Sequence, residues 1–162
     1  MAALVDLSAT ELLAAYRAGQ LGPVEVVRAT LDHIAAWEPT LHATYALDPE
    51  AALAQAVASQ QRWQAGQPKG PLDGVPATIK ENIATAGVPL PLGTAASLPT
   101  PAPRDAPPAA RLREAGAVIL GKTTMPDYGM LSSGLSSFHP LTRNPWDPTK
   151  NPGGSSAGAA AA

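Results

Sequence analysis

Through the first third of the chain, apolar residues recur at helical spacing; after that they come in short runs broken by glycine and proline. Leu7 and Leu12 flank Ser8-Ala-Thr-Glu11, a capping box with its hydrophobic staple. The helix this predicts runs to about Arg17 and stops at Gly19. Gly22-Pro23 opens a second helix, with proline at the first helical position and Val27, Leu31 and Ile34 at helical spacing. Pro39 is expected to end it. A third helix starts at Asp48-Pro49-Glu50 with Asp48 as cap, carries Leu53, Val57 and Gln60 at helical spacing, and closes at Gly66. The pattern changes at Gly70. Ala77-Thr-Ile reads as a short buried strand ending at Lys80. Residues 88–108 are proline-rich and must be irregular or extended, read here as an excursion within one domain rather than a linker. Arg104-Asp105-Ala106 is read as the cap of a short helix through Ala110-Arg-Leu-Arg-Glu114, stopped by Gly116. Ala117-Val-Ile-Leu-Gly then reads as a buried parallel strand, the second half of an α/β crossover. The rest is loop-like until the alanines that end the chain.

Composition narrows the function classes. The 162 residues suffice for a core, which must rest on Leu, Val, Ile and Ala because aromatic residues make up only 4%. A net charge of −2 with no run of like charge offers no field for nucleic acid or an anionic membrane. The absence of cysteine excludes disulfides, thiolate metal sites and a cysteine nucleophile. His33, His42 and His139 lie far apart without metal-ligand spacing, and His33 is expected at the surface or as a satisfied core residue. Met1-Ala-Ala-Leu-Val-Asp6 has neither a basic n-region nor a long apolar h-region, so no signal peptide is expected. No apolar stretch approaches the ~20 residues of a membrane span, and a cytoplasmic chain follows as the expectation.

Two segments carry candidate chemistry. Composition alone makes Gly153-Gly-Ser155-Ser156-Ala-Gly158 a flexible linker. It is no phosphate loop, because no strand precedes it and no Lys-Ser/Thr follows, and the spacing fails for a Gly-x-Ser-x-Gly elbow. It can, however, bring hydroxyls and backbone N–H groups close to a substrate. Lys80, at the end of an apolar strand, reads on its own as a lysine snorkelling outward or pairing with Glu81. Held near the interior, such a lysine can act as a base, because loss of water favours the neutral amine.

Taken together, the segments resemble a known family. Gly74-Val-Pro-Ala-Thr-Ile-Lys80-Glu-Asn82 resembles the lysine motif of the amidase-signature enzymes, and Ala115 through Gly129 resembles their strand-and-loop motif. Arg143-Asn-Pro-Trp-Asp-Pro148 through Asn151-Pro-Gly-Gly-Ser-Ser-Ala-Gly158 resembles the start of the signature itself, and the order and spacing agree. The resemblance covers essentially the whole chain. It implies an α/β fold: the N-terminal part of an αβα sandwich with a mixed sheet, preceded by N-terminal helices. Residues 1–69 would be the helical segment and 70–162 the start of the catalytic core of a single, incomplete domain. It implies a Ser–cis-Ser–Lys triad with Lys80 as base and Ser155 as the cis-serine. Met130, Leu131, Ser132, Ser133, Gly153, Gly154 and Ser156 would line the substrate site. No metal or cofactor is implied, the partner is a small amide substrate, and self-association as a homodimer is open.

The resemblance also implies something missing. The family's nucleophilic serine lies beyond the last residue here; Ser156 is the wrong serine of the motif, and the pairs Ser132-Ser133 and Ser136-Ser137 are no substitute. Ala157 stands where the family often has glycine, tolerable at negative φ. Apolar surface and a sheet edge would be left uncovered, so the expectation is an incomplete sequence or truncated gene, inactive by itself. The leading function is an amidase that hydrolyses a carboxamide to carboxylate and ammonia or amine, the loop from Met130 to His139 looking more like the stand-alone enzymes. The alternatives are the A subunit of the glutamyl-tRNA(Gln)/aspartyl-tRNA(Asn) amidotransferase, which passes ammonia to a partner protein, and an inactive remnant. A Pro/Ala-rich linker protein does not fit the capped helices and buried strands. The coding DNA past Ala162 is expected to continue in frame into a Gly-Gly-Ser element about two dozen residues beyond Ser155, which also supplies oxyanion-hole N–H groups. Sequencing that DNA checks the expectation, and a stop codon directly after Ala162 rules out the hydrolase mechanism for this chain.

Overall fold

A computed structural model describes residues 3–162. Met1 and Ala2, the start of the stretch read above for a leader, lie outside the described residues. The elements are α1 (Ala9–Arg17), α2 (Pro23–Leu41), β1 (Thr44–Tyr45), α3 (Pro49–Gln64), β2 (Pro76–Lys80), α4 (Pro107–Glu114), β3 (Val118–Thr123) and α5 (Ala157–Ala161). They fall into two compact units, the first holding residues up to Ala35, Asp48–Ala77 and Ala110–Leu120, the second Ala36–Leu47, Thr78–Ala109 and Gly121–Ala162.

In the first unit the capping box forms as read. Glu11 N donates to Ser8 Oγ at 3.3 Å and Ser8 N to Glu11 Oε2 at 2.8 Å, so two orphan amides of α1 are satisfied reciprocally. Leu12 and Tyr16 of α1 bury against Val26 of α2, with Leu7, Leu13, Leu21 and Trp63 packed around them. Asp48 Oδ1 caps α3 by accepting from Ala51 N at 2.9 Å. The face α3 buries is Ala52, Ala56 and Ser59, one position round from the Leu53–Val57–Gln60 stripe of the sequence reading, and Val57 is 45% exposed. Small residues win that face because the chain leading into β2 passes close by. A methyl on Gly74, which sits at φ +84, would lie 2.7 Å from Ser59 Oγ and from Pro23 Cγ.

Asp73 fixes the turn before β2. Its fully buried carboxylate accepts from Arg62 Nε at 2.9 Å, Arg62 Nη2 at 2.5 Å and Lys69 N at 2.7 Å, while Trp63 Nε1 donates to its backbone oxygen at 3.1 Å. This cluster therefore sets where the strand that ends on Lys80 begins.

In the second unit Pro39 does not end α2 as the sequence reading expects; the helix continues to Leu41. A proline this close to the C-terminus forfeits its own amide bond but leaves the next turn free to close, and His42 N donates to Glu38 O at 3.0 Å. The Glu38 carboxylate then takes the amides of Ala43 and Thr44, each at 3.1 Å. The strand order is β1-β3-β2. β3 pairs antiparallel with β1 in the register Thr44↔Thr123 and Tyr45↔Lys122. Its bonds to the β2 segment, Val118 N to Val75 O and Glu81 N to Thr123 O, advance in the same direction and make that pair parallel. The sheet is thus mixed, and the α/β class expected from the sequence is the one observed. Every residue of β3 is buried, Lys122 included. Residues 88–106 carry no named element beyond isolated bridges such as Pro89↔Pro101, whereas Pro107 and Pro108, expected to be irregular with them, open α4, where the missing amides of a first turn cost nothing.

Burial alone would raise the Asp73 carboxyl, but the bonds from Arg62 and Lys69 outweigh it and hold the group below the ordinary carboxylate range. A depressed folded value gives stability that is present above the unfolded value of ~3.9 and is lost as pH falls through the folded one. Arg62 keeps 32% exposure, which screens the pair. Asp73→Ala is expected to lower the unfolding free energy by about 2 kcal/mol at neutral pH, with the difference shrinking below about pH 4. Denaturant unfolding of both proteins across that range measures it.

Candidate active site

β2 delivers Lys80 to the second unit, and Lys80 Nζ donates to Ser155 Oγ at 2.8 Å across 75 positions of sequence. The strand end is held by Glu81 N donating to Thr123 O at 3.0 Å, and the following turn by Ile83 N donating to Lys80 O at 3.0 Å. Ser155 follows a cis Gly154–Ser155 peptide bond and immediately precedes α5 and its cap. Ser156 is the N-cap residue of α5, with no side-chain cap bond. Gly158 N donates to Thr124 O at 3.0 Å, which docks the first turn of α5 beside the residue following β3. Ala157, where the family often has glycine, is a buried helical residue outside the positive-φ set.

The loop from Gly129 to Ser133 runs alongside Ser155. A methyl on Gly129 would lie 3.7 Å from Ser155 Oγ, and one on Gly154 would lie 2.6 Å from both Ser133 N and Ser133 O and 2.7 Å from Leu131 O. Gly154 is thus packed backbone to backbone against residues 131–133. Of the residues singled out in sequence, the structure brings Lys80, Ser155, Gly154 and the backbone of Leu131 and Ser133 together. Met130 is 81% exposed, and Leu131 and Ser132 are also exposed. Gly153 lies at φ +90, its amide donating to Asn151 Oδ1 at 2.9 Å. Ser136 and Ser137 are committed to the loop's own bonds: Ser136 Oγ donates to Gly93 O at 2.6 Å, and Ser137 Oγ donates to Asp127 Oδ1 at 2.5 Å. Ser137 N donates to Asp127 Oδ2 at 2.8 Å, and these two bonds hold the Asp127 carboxyl below its ordinary range.

A second polar group was not anticipated. Glu81 does not pair with Lys80, one of the two roles considered for that lysine in isolation. It turns instead into the interior, where its Oε2 lies 2.7 Å from His139 Nε2. Lys122, also buried, donates to Ile83 O at 2.8 Å. Burial pushes the Lys122 ammonium below its ordinary range, opposed by the charge of Glu81, while burial and then the same charge push the Tyr45 phenol up. Strand alternation is the sequence signal that could have aimed Glu81 away from Lys80; nothing local to His139 or Lys122 marked either as a partner. Among the described residues no group of three or more His, Cys, Asp or Glu could hold a metal, and no helix is long and apolar enough to cross a membrane.

A lysine amine in hydrogen-bond contact with a serine hydroxyl has the geometry for proton transfer between the two. Comparison with known proteins gives that geometry a context. The family model described as Amidase matches residues 25–162. The A subunit of the glutamyl-tRNA(Gln) amidotransferase of Chloroflexus aurantiacus is 45% identical over 162 residues, all of this chain and 33% of the relative. Its counterpart in Acidothermus cellulolyticus is 43% identical over 162 residues, again all of this chain and 32% of the relative. The chain therefore spans about a third of the curated relatives it matches. Among solved structures, the peptide amidase of Stenotrophomonas maltophilia superimposes with a TM-score of 0.88 at 35% identity, over 96% of this chain and 33% of that one. A fatty acid amide hydrolase gives a TM-score of 0.91 at 29% identity, over 96% of this chain and 28% of its own.

Gly154→Ala is expected to push residues 131–133 away from Ser155 and to destabilise the protein by about 1–3 kcal/mol, the usual range for overpacking. Denaturant unfolding measures the loss, and a crystal structure of the variant measures the displacement.

Proposed function

Because the chain belongs to the amidase-signature family, we propose that it is the N-terminal part of an amide hydrolase and supplies the base and the relay serine of a Ser–cis-Ser–Lys triad. The observation that carries this reading is the 2.8 Å contact from Lys80 Nζ to Ser155 Oγ. Lys80 is the base that accepts the proton of Ser155, and Ser155 accepts that of a nucleophilic serine outside these residues. The nucleophile adds to the amide carbon, the C–N bond breaks, and the nitrogen leaves as ammonia or amine with the proton returned through the relay. Water then hydrolyses the acyl-serine to carboxylate and free hydroxyl. Met130 to Ser133, Gly153, Gly154 and Ser156 form the wall against which the substrate lies. In this reading residues 1–69 lead into a single catalytic domain whose α/β core starts at 70. The reaction needs no cofactor, and the net charge of −2 supports a small soluble amide over a polyanion.

A second reading, the A subunit of a tRNA-dependent amidotransferase, is favoured by one specific observation: the curated relatives at 41–45% identity carry that name. The two readings share the chemistry and differ in whether the complete polypeptide works alone. Purified by itself, it is expected to release ammonia from simple primary carboxamides. Lys80→Ala and Ser155→Ala should each lower kcat/KM by at least about a thousandfold, the scale of losing a triad member. Ammonia release that appears only with glutamine and added partner subunits selects the second reading; activity indifferent to both substitutions excludes the triad.

A further inference from the structure

The buried group on the far side of Lys80 has no part in the relay, yet its members come from segments that must stay in register for the site to form. The side chain of Glu81 is fully buried and that of His139 is 4% exposed. With a carboxylate as acceptor, the proton of this bond sits on His139 Nε2. Glu81 Oε1 has no hydrogen-bond partner among the described residues. His139 therefore carries the hydrogen bonding of the carboxylate alone, at Oε2, while the Lys122 ammonium offsets its charge. The imidazole is clamped by aromatic edges, Tyr45 at 5.1 Å and Phe138 at 5.0 Å between centroids.

Glu81 directly follows Lys80. His139 ends the loop whose residues 131–133 pack on Gly154, and just before His139 the loop is also held by Asp127 through Ser137 and by Gly93 O through Ser136. We propose that the Glu81–His139 contact is a buried latch that ties the loop 130–139 to the backbone carrying Lys80, making His139 a positioning residue for the substrate side of the site. The catalytic consequence rests on the hydrolase reading above; the latch itself does not. Without His139 the strand end keeps its bonds from Glu81 N to Thr123 O and from Ile83 N to Lys80 O. What is released is the loop, not the base, so substrate binding changes more than turnover.

The test uses the complete polypeptide and two readouts, amide hydrogen exchange and steady-state kinetics with a primary carboxamide. In His139→Phe the aromatic packing stays and the hydrogen bond goes. Exchange of amides 128–138 should rise about tenfold or more, on the scale of an unsatisfied buried carboxylate, with amides of α1–α3 unchanged. KM should rise about tenfold while kcat stays within about threefold. His139→Gln, which can donate to Glu81 from a similar place, should restore both. Since His139→Phe strands a buried carboxylate and puts the fold at risk, Glu81→Gln/His139→Phe serves as the second variant, with the same local result expected. Exchange and KM within about twofold of the unaltered protein overturn the latch, as do faster exchange throughout the chain or failure of the glutamine variant to restore the loop. If the unaltered protein hydrolyses no carboxamide, the hydrolase reading falls and the exchange arm alone decides the latch.

Discussion

At the end of β2 two adjacent residues divide the work of the second unit. Lys80 goes to the Ser155 hydroxyl, and Glu81 goes to the interior to meet His139. Strand alternation forces that division. A base presented at a strand end therefore comes with a neighbour directed inward, and an inward carboxylate is tolerable only with partners. His139 supplies its hydrogen bond, and the buried ammonium of Lys122, itself donating to Ile83 O, offsets its charge. The polar core of this unit is thus the structural counterpart of exposing Lys80 to Ser155.

The first unit meets a different demand with similar means. There α3 buries alanines and a serine, which lets the turn before β2 come close. Close approach leaves little apolar area to gain, and Asp73 with Arg62 and Lys69 supplies the directional bonds that fix the strand's start. Polar networks specify position well in a lean core because their geometry is narrow, whereas alanine packing alone slides with little penalty.

What the sequence made legible was mostly local. The capping box at Ser8, the Asp48 cap, the strand ending on Lys80 and the buried run from Val118 each announce themselves within a few residues, and each is present. Pro39 misled because the rule that proline stops a helix weakens in the last turn, and the Glu38 carboxylate takes the amides of Ala43 and Thr44 just past the helix end. The buried face of α3 misled because Leu53 and Val57 share the helical period with Ala52 and Ala56, and periodicity alone does not choose between adjacent stripes when the neighbour demands small residues. Lys80 and Ser155 were legible only through motif resemblance, being 75 positions apart. Nothing near His139 signals Glu81, since the pairing spans 58 positions and depends on where a loop returns.

The Glu81–His139 pair also bears on descent. Exchanging either residue for an apolar one leaves its partner buried without this hydrogen bond, while exchanging both removes the bond's demand and leaves only the buried Lys122 to be accommodated. Two viable arrangements are then separated by an intermediate of low fitness. Drift at these two sites is coupled, and lineages should divide into those that keep the ionisable pair and those that abandoned it in a single coordinated step, with few between.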